Sequence, residues 1–346
     1  MFSKSNAMRL AGIVLLLSAG LAFAYTTFQN NVNGSPTPSR WPNGSVVWQL
    51  NPTFGSNIDT LSGTSPAPVT TALNNAFQTW QTATWNGQAL STVTFSQGPN
   101  SSQTDPDLTD CANVISFVPS SAVAFPTGTL AITMVTTAYG TVPSTYTCTV
   151  NGQQVSHQTS LVSQITDADI VFNPQVSFST ATPAVTGEYD LQAVASHEVG
   201  HMLGLEHDGI SHAMMYPFGD TGANEQRVLW TDDIMGLAFL YPTAAFSTAT
   251  GTVSGTVSLA GTGVFAAHLL AIDKTTGLAT VDGLTNPDGT FKLTGVPPGN
   301  YRILSLPLSG VYTLNDFGGW SCGFASNPQN CSSAPASITS FTGTYF

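Results

Sequence analysis

Between His197 and Asp208 the chain reads HEVGHMLGLEHD, and no other stretch limits the fold so tightly. It carries the pattern H-E-x-x-H-x-x-G-x-x-H. His197 and His201 stand four residues apart, so a helix puts both imidazoles on one face, directed at one point. Glu198, beside the first histidine, can reach a water held at that point. Gly204 accepts a positive φ without steric cost, so the helix can stop there and the chain can double back with His207 as a third nitrogen donor. Three neutral imidazoles and a fourth position left to water describe a catalytic zinc site rather than a closed structural one. A bare H-E-x-x-H also arises by chance on solvated helices; the glycine and third histidine at fixed spacing weigh against that reading. Leu191, Val194, Ala195, Met202, Leu203 and Leu205 give the helix apolar flanks, so it is expected to be buried.

Downstream stands Ala213-Met214-Met215-Tyr216-Pro217. Together the two segments resemble the metzincin superfamily of zinc endopeptidases, whose long motif is followed by a Met-turn. Met215 lies eight residues after His207, a spacing similar to that of the matrixins (matrix metalloproteinases). Asp208 departs from the pattern, since matrixins usually carry serine there; at that position the string is nearer the adamalysins, whose Met-turn reads differently. The matrixin-like reading fits better. The resemblance implies an α+β fold, a metzincin-type domain with a mixed twisted sheet and three main helices. It also implies a zinc metalloendopeptidase acting on protein or peptide substrates. His197, His201 and His207 would hold one catalytic Zn²⁺, and Glu198 would be the general base. Met215 would form an apolar floor under the imidazoles, and Tyr216 and Pro217 the wall of a specificity pocket.

The rest of the chain is read against this centre. It has 346 residues, a net charge of −12, 8% charged residues, 32 Gly and 21 Pro. A hydrophobic content of 42% suffices for one sizeable core and a second, smaller one. The acidic balance argues against nucleic acid or an anionic membrane as partner. Residues 1–24 read as a secretory signal peptide: Lys4 and Arg9, an apolar run from Leu10 to Leu21, and Ala22-Phe23-Ala24 before Tyr25. No other segment approaches the ~20 apolar residues of a membrane helix, so a secreted, soluble monomer is expected. Removing Lys4 and Arg9 leaves 5 basic against 19 acidic residues, or −14. Cys111, Cys148, Cys322 and Cys331 suggest two disulfides in an exported chain; four cysteines allow three pairings, and proximity favours 111–148 and 322–331. None precedes the catalytic region, so the inhibitory propeptide cysteine of many matrixins has no counterpart among them.

Trp41–Asn51 reads as a strand after a Pro/Gly turn, and Val69, Leu73, Ala76, Phe77 and Trp80 make the buried stripe of an amphipathic helix. Strands are expected at Thr92–Ser96, Asn113–Val118, Thr129–Thr137 and Ala168–Asn173. This order is similar to the upper subdomain of metzincins, and the resemblance covers Trp41 to about Pro242. Leu130-Ala131-Ile132-Thr133 resembles the matrixin edge strand, so Ala131 is expected beside the substrate, where an extended peptide adds as a strand. Ile132 stands where a structural-zinc histidine would sit. Val171 replaces another such histidine and Asn173 a calcium-binding aspartate, so a second zinc is not expected. Calcium is only weakly indicated; its remaining candidates, Asp167 and Asp169, read as two solvated acids on a loop. His157 is expected exposed in a polar loop, His212 has no ligand spacing to its neighbours, and His268 alternates within an apolar strand. Thr231 is expected to cap a closing helix with Asp232 and Asp233 in its first turn, one of them bracing the Met-turn.

Residues 243–250 (TAAFSTAT) read as a linker between a domain at 25–242 and a small all-β sandwich at 251–310. Its segment NPDGTFKLTGVPPGNYRI resembles the carboxypeptidase regulatory-like (transthyretin-like) module, a likeness that indicates fold more than function. Residues 311–346 read as a Gly/Ser-rich, cysteine-containing tail that either completes the sandwich or is tied down by a disulfide. Such a layout implies that the C-terminal module can be removed without harming the catalytic centre. The competing functional class is a non-catalytic secreted adhesin on the same scaffold, and Glu198 separates the two, because a dead site has no need of that carboxylate.

Overall fold

The computed structural model describes residues 25–59, 66–182, 185–308, 313–325, 335–337 and 339–345, so the expected leader at 1–24 and the 322–331 cysteine pairing lie outside the described residues. In chain order, a hairpin of β1 (Gln29–Val32) and β2 (Ser35–Pro38) precedes β3 (Ser45–Leu50), α1 (Pro66–Gln81), β4 (Thr94–Gln97) and β5 (Asn113–Ser116). Then come β6 (Ala131–Tyr139), β7 (Thr145–Val150), β8 (Gln153–Gln158), β9 (Ser163–Phe172), β10 (Phe178–Ser179) and β11 (Tyr189–Asp190). The helices α2 (Leu191–Met202), α3 (Thr231–Leu240) and the short α4 (Phe246–Ala249) follow. The C-terminal part adds β12 (Gly251–Thr256), β13 (Ser258–Leu259), β14 (Thr262–Gly263), β15 (His268–Asp273), β16 (Ala279–Leu284), β17 (Thr290–Val296) and β18 (Tyr301–Leu306). After these come α5 (Gly318–Ser321) and β19 (Thr344–Tyr345).

The first half is a mixed α+β body. Its five-stranded sheet runs β4-β3-β5-β9-β6, parallel except for β6, which pairs antiparallel with β9 and forms the edge. All ten residues of β9 are buried, as a central strand covered on both faces must be. The expected helix stripe is buried and packs on the sheet, with the Phe77 ring stacked on Trp48 at 4.4 Å. Trp80 Nε1 donates to Ser196 O (2.7 Å), which ties α1 to α2 and satisfies a fully buried indole N–H. Trp41 Nε1 donates to Met202 O (2.7 Å) and Tyr241 Oη to Leu203 O (2.6 Å), so the end of α2 is fixed from two sides.

Some sequence expectations are met in the structure and others are revised. Ile132 and Val171 are register partners across β6 and β9, so two apolar side chains meet where histidines would stand in a matrixin. Asp167 and Asp169 are not solvated loop acids: they lie in β9 and are buried. Asp169 accepts from Val114 N (2.7 Å), Asp107 N (2.8 Å) and Gln103 Nε2 (3.1 Å), and Asp167 from Cys111 N (3.0 Å), so these carboxylates hold the 103–114 loop. His157 is exposed but belongs to β8, stacked on Tyr146 at 5.3 Å, because Asn151-Gly152 turns the chain into a hairpin. The cap of α3 is Trp230, not Thr231: Trp230 N donates to Asp233 Oδ2 (2.6 Å), one residue earlier than expected. Cys111 and Cys148 are joined, 37 residues apart.

The C-terminal strands form a β16-β15-β18-β19 sheet and a β12–β17 pair, all antiparallel. The 243–250 segment is not a free linker. It carries α4, and Phe246 is buried in an apolar cluster that takes Tyr25, Leu90, Met235 and Ala238 from the first half and Val257, Leu269 and Phe291 from the second. A further cluster packs Phe317 and Trp320 of the 313–325 segment on Phe265, Leu284 and Leu308. No helix among the described residues is long and apolar enough to cross a membrane.

Candidate metal centre

Asp190 starts the central helix. Its Oδ1 accepts from Ala193 N (2.8 Å), capping α2, and the same carboxylate takes a two-pronged contact from Arg227 Nε and Nη2 at 2.9 and 2.6 Å. Nine of the helix's twelve residues are buried. The helix stops where expected: Gly204 has φ +99°, and a Cβ there would lie 2.5 Å from Ser39 O, so both conformation and space require glycine. Gly204 N donates to His201 O and Leu205 N to Gly200 O, and the following residues pair with the N-terminal segment through Phe28 N–Gly204 O and Glu206 N–Thr26 O, both 2.9 Å. Thr26 Oγ1 donates to His207 O, which fixes the third histidine's main chain.

His197, His201 and His207 converge, with one ring nitrogen from each lying within 4.8 Å of the others. Ring centroids are 4.8 to 5.3 Å apart. The outer nitrogens decide what the inner ones can do. His197 Nδ1 meets Met214 O (2.8 Å), His201 Nδ1 meets Leu205 O (2.8 Å) and His207 Nδ1 meets Asp316 O (2.6 Å). A carbonyl only accepts, so each Nδ1 carries the hydrogen and each Nε2 keeps a lone pair for the common point. Burial pushes the imidazolium pKa of His197 down to about 3, that of His201 well below its usual range and that of His207 down as well. Three neutral imidazoles with oriented lone pairs fit a zinc ion.

Glu198 is buried among them, and burial pushes its carboxyl up to about 7. Thr133 Oγ1 on β6 donates to Glu198 Oε2 (2.6 Å) and lies 3.1 Å from Glu198 O. Met215 packs against the central helix at Gly200, between the first two histidines. Gly200 makes room for it, since a Cβ at Gly200 would fall 2.2 Å from Met215 Sδ. Asp233 holds the turn by accepting from Met214 N (2.9 Å) and Met215 N (3.1 Å), so Asp233 is the bracing aspartate. A cleft of about 570 Å³ opens in front of the histidines, bounded by Leu130–Thr133 on one side and Tyr216–Phe218 on the other. Ala131, Tyr216 and Pro217 all line it, beside Glu198 and the three histidines. His157 is absent from its lining, His212 sits against Trp230 (5.8 Å) and His268 is buried with Nε2 on Asp282 (2.7 Å).

Sequence reasoning missed four contributors. Thr133 was inside the edge-strand string but carried no role, and Arg227 has no local signal linking it to Asp190. Glu206 is buried, accepts from Gly319 N (2.7 Å), and burial pushes its carboxyl up to about 7. Asp316 supplies His207's acceptor from more than a hundred residues away, in a tail without periodicity.

Three convergent imidazoles, a carboxylate beside them and an open cleft are the parts of a metal-dependent hydrolase centre. Comparisons with known proteins point the same way. Residues 126–242, about a third of the chain, match the matrixin family. Over 58 residues the chain is 43% identical to metalloendoproteinase 2-MMP of Arabidopsis thaliana, covering 17% of this chain and 15% of that protein. It is 48% identical over 52 residues to karilysin of Tannerella forsythia, covering 15% of this chain and 10% of that protein. Matrix metalloproteinase-9 of Canis lupus familiaris is 43% identical over 53 residues, 15% of this chain and 7% of that protein. The chain therefore spans less than a fifth of the length of the curated relatives it matches.

Proposed function

We propose that this chain is a secreted zinc-dependent endopeptidase of the matrixin type, acting on protein or peptide substrates. The observation that carries the reading is the set of three Nδ1–H···O=C bonds, which leaves three neutral Nε2 lone pairs converging beside Glu198. His197, His201 and His207 would hold the ion. When bound, zinc supplies Lewis acidity that polarises a peptide carbonyl and makes a nearby water more acidic.

The chain's own residues do the rest. Glu198 takes the proton from the attacking water and hands it to the leaving amine. A carboxyl raised to about 7 by burial suits both tasks near neutral pH. Thr133 fixes Oε2, which directs the carboxylate toward the cleft rather than back along the helix. An extended peptide pairs with the edge strand β6, whose residues from Ala131 to Thr133 line the cleft, and Tyr216 and Pro217 bound the pocket for a side chain beyond the scissile bond. Met215 keeps the underside of the imidazoles dry and apolar. The C-terminal strands fit a small sandwich of the carboxypeptidase regulatory-like kind, and export rests on the leader-like residues 1–24.

The test is incubation of purified full-length protein with a mixed peptide library, with and without a chelator, and mass spectrometry of the products. Cleavage within peptides that stops with chelator and returns with zinc is expected. Cleavage indifferent to chelator, or none in zinc-loaded protein, contradicts the proposal.

A further inference from the structure

One end of the cleft is walled by residues outside 126–242, the stretch that matches the matrixin family. His197 Nδ1 is bonded to Met214 O, two residues before Tyr216, whereas His207 Nδ1 is bonded to Asp316 O, so a different histidine ties down each end. At the His207 end the lining is Phe28, Glu206 and Asp316. The segment that carries Asp316 is held there from two directions. Phe317 and Trp320 are buried against Phe265, Leu284 and Leu308, and Gly319 N donates to Glu206 Oε1 (2.7 Å). A Cβ at Gly319 would lie 2.2 Å from both Glu206 Oε1 and the Phe28 ring, so a side chain there would push the segment off the site.

The Asp316 carboxylate is a fixed part of this wall. Its Oδ2 accepts from Thr313 N (2.6 Å) and Thr313 Oγ1 (3.2 Å), which caps the short turn Leu314–Phe317. Oδ1 takes no hydrogen bond among the described residues and is left for a partner. Its charge adds to the rise of the Glu206 carboxyl and opposes the lowering of the His207 imidazole, which places it near both. Glu206 itself is buried with both oxygens engaged, by Gly319 N and His207 N, and has nothing to offer a substrate. The half-buried Phe28 ring stands in the same wall, 5.9 Å from the His201 ring. No lysine or arginine is among the described residues that line the cleft, so Asp316 meets no cation there.

We infer that the 313–325 segment gives the cleft a subsite for a cationic side chain, lysine or arginine, before the scissile bond, with Asp316 as its specificity-determining residue. The inference rests on the peptidase reading, in which Tyr216 and Pro217 take the side chain after that bond and the His207 end takes what precedes it. A long cationic side chain matches an aromatic ring and a carboxylate in one wall: its stem packs on the ring and its head pairs with the acid. Two other acids, Asp220 and Glu225, line the far end, but both are exposed. Asp316 differs from them in being half-buried, capped through Thr313 and flanked by the buried Phe317. Because that anchoring is already in place, pairing with substrate orders little that is free.

The experiment uses full-length zinc-loaded protein, with zinc counted in every preparation, and pairs of peptides that differ only by arginine or its neutral isostere citrulline at each position around the cut. The wild type should favour arginine by about 5–20-fold in kcat/KM at a position before the cut, the size of a partly exposed charge-assisted bond. Asp316→Asn keeps the main-chain carbonyl on His207 and an acceptor for Thr313, so zinc should stay while the ratio falls to near one. Raising the ionic strength on the wild type should shrink the ratio as well, a check that needs no variant. Cleavage with a ratio near one before the cut overturns the inference and leaves the peptidase reading standing. A preference found only after the cut also overturns it and points to Asp220 or Glu225. So does a ratio that survives in zinc-loaded Asp316→Asn, since another group then reads the charge. No cleavage by zinc-loaded wild type removes the peptidase reading and this inference with it.

Discussion

The chain holds two convergent clusters on either side of the His207–Asp208 peptide, and they are built from opposite chemistry. In the histidine cluster, every outer nitrogen is matched to a main-chain carbonyl, and the inner atoms are neutral donors open to a 570 Å³ cleft. In the aspartate cluster of Asp208, Asp232 and Asp282 the outer oxygens are matched to N–H donors, while two inner oxygens have no hydrogen-bond partner and the cavity beside Asp208 and Asp232 holds about 10 Å³. One arrangement leaves room for a substrate and the other does not. The difference teaches that ligand geometry alone does not mark a catalytic centre; access and a neighbouring proton carrier do. Only the open cluster has Glu198 and the edge strand β6 beside it. Both clusters share a second lesson, since each draws a member from the C-terminal half: Asp316 for the first, Asp282 for the second.

The largest break in this comparison should come from His201→Ala. It removes one of three ligands, so the open cluster should lose its zinc and peptide hydrolysis should fall to background. Metal analysis and a peptide-cleavage assay on one sample check this. Next in size is truncation after Leu308, which deletes the Asp316 carbonyl and the Phe317 and Trp320 packing. Outer partners of metal-bound histidines are worth about 10–100-fold in metal affinity, so chelator competition should show a loss of that order. A chain cut after residue 245 should be worse still, contrary to the separable module that residues 243–250 suggest in the sequence.

A smaller effect is expected from Asp233→Asn. Asparagine keeps one acceptor oxygen, so one of the two Met-turn N–H groups goes unmatched. That should cost about 1–3 kcal/mol of stability in urea unfolding with zinc still bound. The mildest probe is pH on metal-stripped protein. Burial raises the carboxyl pKa of Asp208 and Asp232 and lifts Asp167 to about 8 and Asp169 to about 7. Folded-state values above the unfolded ~3.9 mean the native state binds more protons at these carboxylates, so their contribution is full below pH ~4 and is lost as pH rises toward 8, whereas the depressed histidine values act the opposite way below pH ~6.5. Melting temperatures should decline from pH ~6.5, where the histidines are neutral in both states, toward pH 8.

Much of the catalytic half was legible because its signals are local. The H-E-x-x-H spacing needs only helix periodicity, Gly204 only a positive φ, and the Val69–Trp80 stripe only a 3.6-residue repeat. The hairpins β1–β2 and β7–β8 went unread although Asn33-Gly34 and Asn151-Gly152 are N-G turns with φ of 53° and 82°, and 51° and 74°. Their short, mostly polar strands carry no clear apolar alternation. Thr133, Arg227 and Asp316 act through partners 37 to 109 residues away, and nothing local in the sequence encodes such pairings. Asp167 and Asp169 misled for the converse reason: acids in a strand look solvated until the loop that supplies their N–H donors is folded over them.

The central claim is that Glu198 moves the proton at a zinc centre whose ligands are held independently of it. The direct measurement is kcat/KM on a short peptide, with zinc content of the same preparations, for wild type and Glu198→Ala. The account predicts about one zinc per chain in both and a 10²–10⁴-fold fall in turnover for the variant, the usual share of a general base. Turnover unchanged in a zinc-loaded Glu198→Ala protein would contradict it.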